Sequence, residues 1–209
     1  MKKNLINVWA LSKGTRALGP GKRFVVWTQG CLKHCPGCTS PESRPLEDRI
    51  LLTPEALADA ILRQKDIEGF TVSGGEPFLQ SAQLAETLSL VKEARPELNV
   101  IVFTGYRLGE LTSEDARKLL EYVDVLVDGP FVQGKKTGTG LRGSSNQEIH
   151  FLTDRLLPWK EVLLNGPRIL ESEFDLDKGE TVTIGIPTDA FPMNFTKPDV
   201  KSKNQSDNE

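Results

Sequence analysis

Phe24-Val25-Val26-Trp27-Thr28-Gln29-Gly30-Cys31-Leu32-Lys33-His34-Cys35-Pro36-Gly37-Cys38 joins an apolar run directly to a tight group of thiols. Phe24 to Thr28 reads as a strand, because aromatic and β-branched residues suit a buried, pleated surface. All 3 cysteines of the 209-residue chain fall within the loop that follows. An odd number of thiols at such close spacing disfavours a disulfide framework and points to metal ligation or redox chemistry.

Working outward, apolar runs alternate with stretches of helical periodicity. Thr53 is a good N-cap, with Pro54 at the first helical position and Leu57, Ile61 and Leu62 continuing the helix. Phe70 to Ser73 reads as a second strand. Leu79 to Ala94 reads as a helix with Leu84, Leu88 and Val91 near one face, and Pro96 lies beyond its end. Asn99 to Thr104 supplies a third strand, Ser113 caps a helix carrying Ala116, Leu119 and Leu120, and Val123 to Asp128 supplies a fourth strand. Repeated βα units build a parallel sheet or barrel. The expected fold class is α/β: a single-domain, incomplete TIM-like barrel of βα units with a C-terminal extension.

The βα domain is expected over residues 1–165. Beyond Asp128 come a Gly-, Lys- and Thr-rich loop, a strand-like piece around Ile149 and an apolar segment from Val162 to Leu164. An extension follows over 166–196, with a hairpin expected between Arg168 and Ile186 around the turn-prone Asp177, Lys178 and Gly179. The polar tail, 197–209, lacks aromatics and is expected to be disordered.

A formal net charge of −3 gives no basic field for drawing in nucleic acid. No run reaches the roughly 20 apolar residues needed to span a bilayer. Leu5 to Leu11 follows Lys2 and Lys3 but is cut short by Lys13 and Arg16, without a small-residue cleavage site. A cytoplasmic protein with neither nucleic-acid nor membrane partner is expected.

Cys31, Cys35 and Cys38 form a C-x3-C-x2-C loop that can wrap three corners of a cubane cluster. Such clusters take four ligands, so with no fourth Cys one iron must stay open to another ligand. The plainer readings are a zinc site completed by His34 or a distant residue, or three unrelated buried thiols. Structural zinc wants four ligands, usually in two close pairs, and the second pair is missing.

A second group, Val72-Ser73-Gly74-Gly75-Glu76-Pro77, ends the second strand. Adjacent glycines let backbone approach a ligand closely, although an ordinary strand-to-helix turn uses the same residues. Thr104-Gly105-Tyr106 and Asp128-Gly129-Pro130 end the next two strands. The C-terminal ends of parallel strands share one face, so these loops converge. Gly138 to Gly143 matches G-x-G-x-x-G but does not join a strand to a helix, so dinucleotide binding is not expected there.

The C-x3-C-x2-C loop is similar to the signature of the radical S-adenosylmethionine enzymes, and Gly74-Gly75-Glu76-Pro77 looks like that family's GGEP motif. The resemblance implies a 4Fe-4S cluster on Cys31, Cys35 and Cys38, its fourth iron chelated by the amino and carboxylate groups of S-adenosyl-L-methionine. It also implies cofactor contacts at Gly37, Cys38 and Thr39 beside the adenosyl group and at Gly74 and Gly75 by the amino group. Glu76 either binds the ligand or holds the turn, and Thr104 and Asp128 either supply further polar groups on the same face or serve plain turn chemistry. No catalytic side chain beyond the cluster and S-adenosylmethionine is implied.

Within that superfamily, Leu141 to Gln147, Val127 to Phe131, Thr104 to Tyr106 and Gly19-Pro20-Gly21 resemble the anaerobic ribonucleoside-triphosphate reductase activating proteins, over roughly Asn7 to Leu164. That implies a 5′-deoxyadenosyl radical which abstracts hydrogen from a glycine of the partner, a glycyl-radical enzyme. A one-electron donor such as a flavodoxin or ferredoxin would reduce the cluster. Thr39-Ser40 departs from the usual aromatic or His followed by Asn, which leaves the partner open. The alternatives are radical chemistry on another protein, peptide or small metabolite, and a metal-binding module without turnover.

Overall fold

The computed structural model describes residues 4–175 and 180–187. Seven strands form one sheet: β1 (Ile6–Thr15), β2 (Arg23–Thr28), β3 (Ile50–Leu52), β4 (Gly69–Gly74), β5 (Asn99–Phe103), β6 (Val125–Asp128) and β7 (Glu148–Phe151), ordered β3-β1-β2-β4-β5-β6-β7. The four central strands, β2, β4, β5 and β6, run parallel, while β1, β3 and β7 pair antiparallel toward the edges. The expected α/β class is present, with a seven-stranded sheet.

Side chains alternate across the central strands, as the two-residue period of a strand requires. Phe24, Val26, Phe70, Val72, Val100 and Val102 pack against helices α1 (Pro54–Leu62), α2 (Ser81–Ala94) and α3 (Glu114–Leu120). Their neighbours Val25, Trp27, Ile101, Val125 and Val127 face the other way, where Ala17, Leu18, Leu141, Leu156 and Leu163 cover them. Parallel strands are therefore buried on both faces, as they normally are.

Both expected caps form: Thr53 accepts from Ala56 N and Ser113 from Ala116 N, each at 3.2 Å. The second helix begins later than its apolar pattern suggested. Residues Pro77–Gln80 make a 3-10 turn, and the α-helix starts at Ser81. Two strands went unrecognised in the sequence. The stretch from Leu5 belongs mostly to β1, and β3 has only three residues.

At the end of the sheet opposite the cysteine loop, Arg23 is fully buried. Its guanidinium donates to Thr71 Oγ1 (2.7 Å), Phe70 O (2.7 Å), Asn99 Oδ1 (2.5 Å), Asn99 O (3.3 Å) and Pro20 O (3.1 Å). Burial pulls its pKa down to about 9, with Asp124 and Glu68 acting in the opposite sense, so the charge survives at neutral pH. One planar fork thereby ties the Gly19–Gly21 loop to the ends of β4 and β5.

After α4 (Lys160–Asn165), β8 (Glu171–Asp175) and β9 (Glu180–Ile184) pair antiparallel in the stretch expected to form a hairpin. The turn residues Asp177, Lys178 and Gly179 and the tail 197–209 lie outside the described residues. Arg168 anchors this segment by donating to Gly140 O (3.0 Å), Thr137 Oγ1 (2.8 Å) and Pro187 O (3.3 Å). Ile184 is buried among Ala17, Leu18, Val25 and Trp27. Among the described residues, no helix is long and apolar enough to cross a membrane.

Lysine cannot reproduce a five-donor fork. Arg23→Lys should therefore lower unfolding stability by about 3 kcal/mol, since it strands buried carbonyls. Urea denaturation checks this; an unchanged midpoint would contradict the account.

Candidate functional site

The ends of β2 and β4 are joined backbone to backbone. Gly75 N donates to Thr28 O and Glu76 N to Gly30 O, both at 2.8 Å. Gly30 N and Cys31 N in turn donate to Ser43 O (2.7 Å) and Arg44 O (3.0 Å), which fixes the start of the cysteine loop. Gly74 has φ +107°, and a Cβ on it would lie 2.3 Å from Thr28 N; a Cβ on Gly75 would lie 2.3 Å from Gly30 O. Only glycine permits this approach.

Glu76 is fully buried. Its Oε1 accepts from Phe78 N (3.0 Å) and Thr104 Oγ1 (2.8 Å), and its Oε2 accepts from Gly105 N (2.8 Å). Burial pushes its carboxyl above the usual range, opposed by those hydrogen bonds and by the charge of Lys33. The carboxylate holds the turn after β4 and ties it to the turn after β5. Thr104 Oγ1 also accepts from Tyr106 N (3.1 Å), so that hydroxyl is committed to the same network.

One cleft is lined by Cys31, Cys35 and Cys38 together with Thr39, Gly74, Gly75, Glu76 and Thr104. The thiols are free and half-buried, and Lys33 N donates to Cys31 Sγ (3.3 Å). Burial raises the pKa of the Cys31 thiol. His34 is engaged elsewhere, its Nδ1 2.6 Å from the Arg44 guanidinium. Because a guanidinium can only donate, Nδ1 is the acceptor there.

Among the described residues, no three His, Cys, Asp or Glu side chains are grouped to hold a single metal ion. That grouping is what a mononuclear zinc site needs, whereas a cubane spreads its thiolates over separate corners. The remaining walls combine glycine backbone at Gly105 and Gly129 with the rings of Trp27, Phe103 and Phe131. Three thiols beside bare backbone and flat apolar surface suit a cluster next to a ligand with a polar head and an aromatic base.

Two expected positions are placed differently. Asp128 is buried and does not line the cleft: its Oδ2 accepts from Leu108 N (2.6 Å) and lies 3.0 Å from His150 Nε2, while Arg107 is 3.8 Å from Oδ1. The His150 contact is close but poorly aligned for a hydrogen bond. Gly37 has φ +68°, and a Cβ there would meet the Gln133 side chain at 2.8 Å. Among cleft residues that carried no individual signal, Gln147 donates to Gly129 O (2.9 Å), Lys33 reaches in from the cysteine loop, and Gly185 and Ile186 arrive from the end of β9. Gln147 could have been found through its place in the Leu141–Gln147 marker; nothing local pointed to the other three.

A family model described as a 4Fe-4S single cluster domain matches residues 17–150. The anaerobic ribonucleoside-triphosphate reductase-activating protein of Vibrio cholerae is 36% identical over 143 residues, covering 65% of this chain and 91% of that protein. The protein of that name from Escherichia coli K12 is 34% identical over 148 residues (64% and 91% covered), and that of Enterobacteria phage T4 is 32% identical over 148 residues (68% and 90%). The crystal structure of QueE from Escherichia coli aligns over 49% of this chain and 52% of its own, at 20% identity and a TM-score of 0.37.

A methyl group at Gly75 would strike the backbone oxygens of Gly30 and Ser43, whereas one at Gly109 meets nothing within 4 Å. Gly75→Ala should cost about 3 kcal/mol and Gly109→Ala less than about 0.5 kcal/mol. Equal effects in chemical denaturation would contradict the stitched geometry.

Proposed function

The chain belongs to the 4Fe-4S single cluster domain family, and on that footing we propose that it activates an anaerobic ribonucleoside-triphosphate reductase by radical S-adenosylmethionine chemistry. Three free thiols on one loop, facing a glycine pair that backbone hydrogen bonds hold against that loop, carry the reading.

Cys31, Cys35 and Cys38 would hold a 4Fe-4S cluster, leaving one iron without a cysteine because the chain contains no fourth. A cluster held there would supply one electron to the sulfonium of bound S-adenosyl-L-methionine, giving methionine and a 5′-deoxyadenosyl radical able to take hydrogen from a glycine. Gly74 and Gly75 leave backbone bare along the cleft where the amino and carboxylate head would bind. Thr39 and Ser40 offer hydroxyls beside Cys38, with Gly37 shaping the loop next to them. Glu76 and Thr104 keep two strand-end turns in register, and Asp128 acts at one remove by holding Leu108. Phe103, Phe131 and Ile186 give the cleft apolar walls that exclude water from a reactive intermediate.

The central parallel strands, with α1, α2 and α3 on one face, read as part of a TIM-like barrel whose cleft opens at the strand C-termini. On this reading residues 1–165 form the catalytic domain of a cytoplasmic enzyme, 166–196 are an extension, and a flavodoxin or ferredoxin supplies electrons.

Anaerobic reconstitution with iron and sulfide, then dithionite and S-adenosylmethionine, should yield 5′-deoxyadenosine with the intact chain and none with Cys38→Ala. Adding an anaerobic ribonucleoside-triphosphate reductase should produce a glycyl radical visible by electron paramagnetic resonance. A fully loaded cluster that gives no product with or without the reductase would overturn the assignment.

A further inference from the structure

Among the described residues, the Lys, Arg, Asp and Glu side chains lining the cleft are Lys33 and Glu76. Glu76 is already engaged by donors from Phe78, Thr104 and Gly105. Lys33 is the other, and it sits inside the cysteine loop, two residues after Cys31 and two before Cys35.

A lysine on an exposed loop normally carries its ammonium into water, because strong hydration favours the extended side chain. The neighbours follow that pattern, with Leu32 55% exposed and His34 at the surface. Lys33 does not. Its side chain is 28% exposed and folds back over the turn after β5, with Nζ 4.1 Å from the centre of the Tyr106 ring and 4.0 Å from Glu110 Oε1. Its stem crosses Gly105, where a Cβ would lie 3.2 Å from Lys33 Cγ. Its own N–H meanwhile donates to Cys31 Sγ. A ring face, a carboxylate and a bare glycine together hold one cation in the cleft that the thiols line.

We propose that Lys33 is a positioning residue that latches the cysteine loop to the Thr104–Tyr106 turn and sets a fixed positive charge in the cleft that the thiolates line, which favours the reduced cluster. The inference rests on the cluster reading of Cys31, Cys35 and Cys38. Each electron added to a thiolate-bound cluster increases its negative charge, so a nearby cation in a partly desolvated cleft stabilises the reduced form more than the oxidised one. Glu110 opposes this only weakly, since it is 50% exposed and better screened than the ammonium, and the buried Glu76, which lines the same cleft, is common to the parent and every Lys33 variant. Tyr106 directs the charge: with the ring present, the ammonium stays over the turn instead of swinging into solvent.

The test is a potentiometric titration of the reconstituted full chain, followed by electron paramagnetic resonance without S-adenosylmethionine, so that ligand binding does not enter. Lys33→Met keeps the stem and removes the charge. It should load iron and sulfide like the parent, yet at the parent's midpoint its ratio of reduced to oxidised cluster should fall about tenfold, which is 59 mV for a one-electron couple. Lys33→Arg keeps the charge and the ring contact and should stay within about threefold of the parent. Tyr106→Leu, which retains Lys33 but frees it, should fall between the two. A Lys33→Met chain that titrates like the parent overturns the proposal, as does one that only loads less iron while its clusters titrate normally. A parent chain that takes up no iron would instead remove the cluster reading itself.

Discussion

Two backbone hydrogen bonds, from Gly75 and Glu76 to the carbonyls of Thr28 and Gly30, hold the cysteine loop and the second strand-end turn together. The register of β2 and β4 runs unbroken to the pair Thr28↔Gly74, and the stitch continues that pairing past the end of the sheet. Contact this close leaves no room for a side chain on either glycine, so the pair is first a packing constraint and only then a surface for a ligand. The bare backbone that a small polar head can approach is a by-product of the same requirement. This explains why the thiols and the glycine pair, more than thirty residues apart in sequence, share one cleft.

Glu76 extends the stitch to a third strand end at a cost in solvation. Its pKa is raised in the folded chain, so its contribution to stability is fully present below the ordinary glutamate value and declines as pH rises through the folded value. Hydrogen bonds from Phe78, Thr104 and Gly105 offset part of that cost. Acid unfolding does not begin here. The arrangement exchanges stability for a fixed geometry between Thr104, Gly105 and the glycine pair, a common feature of preorganised sites.

What was legible in the sequence was local. Thr53 and Ser113 announced helix starts because the cap bonds close within three residues, and the βα alternation emerged from apolar periods that tertiary packing preserved. The thiol loop and the glycine turn were likewise each contained in a few positions. What escaped depends on distant partners. β1 alternates only partly between buried and half-exposed residues, and β3 is too short to show a period. Asp128 sits at a strand end like the other site residues, yet Leu108 and His150 draw its side chain away from the cleft. Nothing local marked Lys33, because the ring that holds it lies seventy-three positions later.

The segment beyond α4 illustrates the same limit in energetic terms. Helices α1, α2 and α3 cover one face of the parallel strands, so the opposite face needs its own cover to keep Val25, Trp27, Ile101 and Val127 from water. Loops and Leu163 of α4 supply part of it, and Ile184 fills the space among Ala17, Leu18, Val25 and Trp27. Ile186 packs against both apolar groups on this face and also lines the cleft. The residues that complete the core therefore also set the depth of the site. A cleft at the strand ends exists because the rest of that face is filled, and part of that filling comes from beyond residue 150, where the family match ends.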